Sequence, residues 1–151
     1  MEIRPAALAD VGAVASLVAR YWEFESIAGF DRPQVEAFLT RLLLAPERGA
    51  CWVAATEGGL CAYLIAVYML SLEHGGLMAE IDEIFVSPEM RSLGMGTRLL
   101  QHAERDLAQR GLVRLQLQLG VGNHRGRMFY ERHGFHGRAG YELLDKPLRP
   151  R

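Results

Sequence analysis

The stretch Glu80-Ile81-Asp82-Glu83-Ile84-Phe85-Val86, broken at Ser87-Pro88-Glu89 and continued through Arg91-Ser92-Leu93-Gly94-Met95-Gly96-Thr97, decides how this chain is read. The first part has the composition of a strand. From Gly94 an apolar pattern with helical spacing runs to Arg110, and Gly111 ends it. A strand that enters a helix through a glycine-containing turn is a place to bind phosphate. The first turn of a helix has N–H groups without intrahelical partners, and the aligned peptide dipoles add partial positive charge there. Gly94 and Gly96 let a bulky anion approach the backbone, and Arg91 supplies a full charge beside it. Two familiar phosphate loops are excluded by the letters. Leu99 stands where a dinucleotide fingerprint needs its third glycine, and no Gly-Lys-Ser/Thr occurs anywhere.

Working outward from this stretch, Met1 to Ala6 reads as a short strand. Val11, Val14, Leu17, Val18 and Tyr21 then mark an amphipathic helix that starts near Asp10 and runs out in Tyr21-Trp22-Glu23-Phe24-Glu25. Asp31 and Pro33 open a second helix that ends before Pro46. Cys51 to Thr56 and Leu60 to Leu70 form a hairpin about Glu57-Gly58-Gly59. Beyond the central strand and its helix, Val113 to Leu119 alternates as a strand and a helix opens at Asn123. Gly134-Phe135 begins a further strand, and Tyr141 to Leu144 is the last.

Composition narrows the function classes. The chain of 151 residues fits one domain, half of its residues are hydrophobic, and no apolar run approaches the eighteen or so that a membrane span needs. A formal charge of −1 argues against a nucleic-acid partner. Met1-Glu2-Ile3-Arg4-Pro5 lacks a basic region followed by an apolar core, so no secretory signal and a cytoplasmic protein are expected. About the hairpin turn, residue numbers that sum to about 117 face each other, which puts Cys61 opposite Thr56 and Cys51 opposite Ala66, about five residues out of disulfide reach. Two free thiols are expected. His74, His102, His124, His133 and His136 have no paired spacing with a carboxylate or thiol, so no metal site is expected.

Arg91, Gly94 and Gly96 match the Gln/Arg-x-x-Gly-x-Gly/Ala signature of the GCN5-related N-acetyltransferases, and the chain resembles that family on both sides of it. Ile84-Phe85-Val86-Ser87-Pro88 is similar to the family's strand into the loop. Asn123 to Phe135 is similar to its helix and following strand. The resemblance implies an α/β (α+β) fold in which a mixed sheet with splayed fourth and fifth strands is flanked by about four helices. It implies acetyl-CoA as cofactor, held by Ile84, Phe85, Val86, the run from Arg91 through Ser92, Leu93, Gly94, Met95 and Gly96 to Thr97, and Asn123. A small-molecule amine is the implied acceptor, and the family contains many homodimers.

Acetyl transfer to an amine needs a base, a stabilised oxyanion and an acid for the leaving thiolate. Tyr130 matches the tyrosine that is the general acid in many members, and a tyrosine hydroxyl is ordinarily protonated at neutral pH. The bland alternative is an aromatic that packs with Phe129 and Phe135. Strict alternation puts Glu80 and Asp82 on one face of the central strand and Glu83 on the other. Family members also bulge this strand, which shifts the facing by one residue. Glu80 sits where histone-acetylating members carry their glutamate, and Asp82-Glu83 resembles the spermidine/spermine acetyltransferases. Asp82 and Glu83 rank together as candidate bases, then Glu80. Glu23 and Glu25 read either as solvated carboxylates among core aromatics or as an acceptor wall suited to a cationic amine. The rival class is a CoA-binding sensor without turnover.

Overall fold

The computed structural model describes residues 1–149. Among these, five strands and four helices follow the order β1 (Glu2–Pro5), α1 (Val11–Phe24), α2 (Arg32–Leu43), β2 (Gly49–Thr56), β3 (Gly59–Ser71), β4 (Gly76–Val86), α3 (Met95–Gln109), β5 (Arg114–Leu117) and α4 (His124–Arg132). Short 3-10 turns occupy Leu8–Asp10 and Pro88–Met90. The strands lie in sequence order in one sheet, antiparallel except for the parallel β4–β5 pair. The chain forms two compact units, Met1–Leu117 and a smaller one that begins at Gln118 and contains α4.

Local chemistry sets the element ends. Asp10, the residue before α1, makes no capping bond to that helix, but its carboxylate receives two hydrogen bonds from the Arg4 guanidinium at 2.7 and 3.1 Å, so β1 and the turn that leads into α1 are joined by charge. Asp31 Oδ1 accepts from the Gln34 N–H, and Pro33 needs no N–H at its place in the first turn of α2. Gly94 precedes α3 with φ +75°, a left-handed conformation that costs a Cβ-bearing residue about 1 kcal/mol or more.

The sheet buries both faces. On one, Val14, Leu17 and Val18 of α1 and Leu39 and Leu42 of α2 pack with Cys51, Val53, Tyr63, Ile65 and Phe85. On the other, α3 lies against β2 and β3 through buried Leu99, Leu100, Ala103 and Leu107. Trp52, fully buried in β2, donates from its indole Nε1 to Asp106 of α3 at 2.8 Å. A polar atom in an apolar layer is tolerated because it is bonded.

Three expectations need correction. Cys51 faces Ile65 and not Ala66, and Thr56 faces Gly59, because a bulge beside Ala54 and Ala55 leaves Cys61 without an opposite number. Both cysteines are buried free thiols, and burial pushes Cys51 up to about 12. Of the two readings of β4, strict alternation fails and the bulge holds, since a bulge at Asp82 sets Ile65 against Glu83 and Ala66 against Ile81. Finally, Phe135 and the run from Tyr141 to Leu144 form no strand. Tyr141 and Leu144 are 73% and 82% exposed, Gly140 breaks the chain before them at φ +88°, and the adjacent leucines at 143 and 144 abolish alternation.

No helix among the described residues is long and apolar enough to cross a membrane.

Candidate active site

The bulge in β4 positions the acids. Residues paired across a sheet share a face, so Glu83, opposite Ile65, and Glu80, opposite Val67, both lie on the α1/α2 side. An unbroken strand would have sent them to opposite sides. Asp82 is the extra residue of the bulge, exposed and outside the register.

Each carboxylate has its own surroundings. Gln116 of β5 donates through Nε2 to Glu80 at 2.8 Å across the parallel pair. Glu83 is half-buried and held at both oxygens, one accepting from Trp22 Nε1 of α1 and the other from the Tyr63 hydroxyl of β3, each at 2.8 Å. Burial raises the Glu83 pKa, the Trp22 and Tyr63 donors oppose that rise, and Asp82 adds to it. Asp82 is raised by the crowding of protein around it and then by the charge of Glu80. Tyr63, fully buried, has its hydroxyl pushed far up by burial and by Glu83 and so stays a donor.

Tyr21 of α1 is where the acids meet. Its ring lies 5.6 Å from that of Phe85, and burial followed by the charges of Glu25, Glu83 and Asp82 raises its hydroxyl. The charges of Glu25, Asp82 and Glu83 thus all bear on this one hydroxyl. Glu23 is exposed and is not among the groups that act on Tyr21. Tyr21, Trp22 and Tyr63 surround the candidate carboxylates; in the sequence Tyr21 and Trp22 belong to a run that reads as core aromatics or as an acceptor wall, and Tyr63 does not stand out. A signal existed for Tyr63, since the β3–β4 hairpin pairs it with Phe85, two positions from Glu83 on the same face.

The loop after β4 is tied to the same helix. Arg91 donates from Nε to the Val86 carbonyl at 3.0 Å, and its guanidinium carbon sits 4.6 Å above the Phe24 ring and 5.5 Å from that of Phe85. Arg20 of α1 pairs with Glu89 at 3.0 Å. Ser92 and Gly94 both have positive φ, 66° and 75°, Leu93 is exposed and Met95 is buried beneath the loop. The bond from Arg98 N to Gly94 O opens the ladder of α3, so Met95, Gly96 and Thr97 make up the first turn of the helix. Pairing between β4 and β5 ends at Ile81 and Leu117, so the edge of β4 from Asp82 through Ile84, Phe85 and Val86 runs on past β5. A thin polar chain that ends in a diphosphate suits these parts, with amides along the strand edge and an anion at the helix start. Gly94 fits that use, since nothing lies within 4 Å of where its Cβ would be.

In the second unit, Asn123 Oδ1 accepts from Gly126 N at 2.9 Å and caps α4. Tyr130 stacks edge-on with Phe129 at 5.2 Å and Phe135 at 5.4 Å.

The sequence model of the Acetyltransferase (GNAT) family matches residues 14–135, which takes in α1 from Val14 onward, the bulged strand, the glycine loop and α4. The chain belongs to this family. It is therefore an acyltransferase with the GNAT fold. Among its relatives is an uncharacterized N-acetyltransferase of Bacillus subtilis (strain 168), YhfO, 30% identical over 141 residues that span 93% of each chain. An integron cassette protein from the mobile metagenome of Cole Harbour Salt Marsh superimposes with a TM-score of 0.84 at 27% identity, over 99% of this chain and 91% of that one. A predicted acetyltransferase from Clostridium acetobutylicum, solved with acetyl-CoA, shares the fold at a TM-score of 0.80 and 17% identity, over 95% of each chain. GNAT enzymes use acetyl-CoA, and the loop and strand edge described above fit it.

Proposed function

We propose that the protein transfers an acetyl group from acetyl-CoA to a small primary amine by direct attack in a ternary complex, and that the acceptor carries a second cationic group. The observation that carries this reading is the run of carboxylates on β4 where it has just left β5, with Asp82 in the bulge beside Glu83 and Glu83 bonded to Trp22 near the end of α1, next to which Glu25 stands. Acetyl-CoA supplies an activated thioester. The first turn of α3, from Met95 to Thr97, and the strand edge of Ile84 to Val86 hold it, with Asn123 as a further contact.

This chain's residues do the rest. One of the β4 carboxylates, Asp82, Glu83 or Glu80, takes the proton that the amine loses, and Tyr130 gives one to the leaving sulfur. Glu25 and Glu23, both exposed at the end of the first helix, attract the second cation of the acceptor. One charge pair at about 4 Å in an effective dielectric near 20 bounds this attraction at about 4 kcal/mol, and solvent exposure reduces it to about 1 kcal/mol. A thiol-release assay over diamines, polyamines, aminoglycosides, monoamines, amino acids and peptides tests the reading. Diamines should exceed a matched monoamine in kcat/KM by roughly fivefold. A neutral amino acid as the best acceptor would remove the cationic reading and leave the acetyltransferase standing.

A further inference from the structure

Asp82 and Glu83 are adjacent in sequence and differ in what the fold asks of them. Both oxygens of Glu83 are engaged by side-chain donors from two other elements, Trp22 of α1 and Tyr63 of β3. Trp22 also stacks edge-on with Phe30 at 5.9 Å, and its carbonyl accepts from Ile27 N, so the indole belongs to the built end of α1. Tyr63 is fully buried and has no freedom to follow a moving carboxylate. Asp82 is the bulge residue, solvent-exposed, with no opposite number in β3.

We propose, on the acetyltransferase reading above, that Glu83 is a positioning residue and not the proton acceptor. Gripped by Trp22 and Tyr63, it pins the last turn of α1, with Tyr21 and Glu25, against β4, while Asp82 is the carboxylate that receives the amine proton. The proton account closes. As the amine nitrogen bonds the acetyl carbon and the carbon–sulfur bond breaks, the nitrogen's proton passes to Asp82 and the leaving sulfur takes one from the acid, for which Tyr130 is the candidate. Both carboxylates are raised, Asp82 by the crowding of protein around it and by Glu80, Glu83 by burial against the opposing pull of its two donors, so it is the geometry that divides their roles. The other charged or titratable groups that bear on this corner are Glu80 from β4, Tyr21 from α1, Glu25 just past its end and Tyr63 from β3.

The test compares kcat and acceptor KM against pH for the intact enzyme with its best amine. A glutamine offers one acceptor oxygen and cannot serve both donors, so Glu83→Gln should raise acceptor KM roughly fivefold or more and leave the acidic limb of kcat in place. Tyr63→Phe and Trp22→Phe should raise KM in the same way, and they keep the test open if Glu83→Gln does not fold. Asp82→Asn should lower kcat by about 10² to 10⁴ and abolish the acidic limb, with Asp82→Glu restoring part of both. Loss of that limb in Glu83→Gln, or its survival in Asp82→Asn, overturns the assignment. A wild-type protein that acetylates no amine sinks the underlying reading instead.

Discussion

Taking the charge from Asp82 should stabilise the protein at neutral pH. The crowding of protein around this exposed side chain and the neighbouring Glu80 raise its folded-state pKa above the 3.8 of an unstructured aspartate, so the folded chain binds this proton more tightly than the unfolded one. The stability linked to it is complete below 3.8 and is lost as pH rises through the folded value. Asp82→Asn should therefore melt at a higher temperature than the parent at pH 7, and the two should converge near about pH 3. A lower Tm at pH 7 would mean that the carboxylate has a partner which outweighs its desolvation. Tyr130 makes the complementary test. Tyr130→Phe keeps the ring that stacks with Phe129 and Phe135 and removes only the hydroxyl. CoA affinity should hold while kcat falls by about 10² to 10⁴. Full turnover in that variant would make Tyr130 a packing residue.

Gly96, in the opening turn of α3, carries the prediction that belongs to an element. If that turn receives a diphosphate, Gly96→Glu obstructs it sterically and repels it. CoA affinity by calorimetry should drop at least about tenfold, or about 1.4 kcal/mol, with the far-UV spectrum unchanged. An unchanged affinity in a folded variant would displace the diphosphate from this loop. The helix ends were readable in the letters because capping is local chemistry, and Asp31, Gly94 and Asn123 each do what their residue type and position suggest. A bulge in this strand was implied by the family resemblance, but its position was not readable. It arises where β3 and β4 meet, and nothing within Ile81-Asp82-Glu83 says which residue the partner strand will leave out. The grip of Trp22 and Tyr63 on Glu83 escaped for the same reason, since it spans three elements and 61 residues of chain. The expected strand at Tyr141 to Leu144 failed because a strand is a property of a pair, and four residues with a broken alternation do not secure a partner.

At the scale of the whole molecule, a formal charge of −1 leaves little long-range field to gather cations. Any preference for a doubly charged amine must therefore come from the few acids about Tyr21, and exposed charges are screened over about 10 Å at 0.1 M salt. The kcat/KM ratio of a diamine to its matched monoamine should narrow as salt rises. A ratio that ignores salt would assign the choice to shape. The sheet divides the molecule in another respect. Its two tryptophans lie on opposite faces, Trp22 donating to Glu83 on the α1 side and Trp52 donating to Asp106 on the α3 side. Each indole is thus a lamp wired to one carboxylate in one layer. A Trp22→Phe protein emits only from beneath α3, so subtracting its spectrum from the parent's isolates the light of the other layer, where acceptor binding or titration of Glu83 would register as a change in colour and brightness.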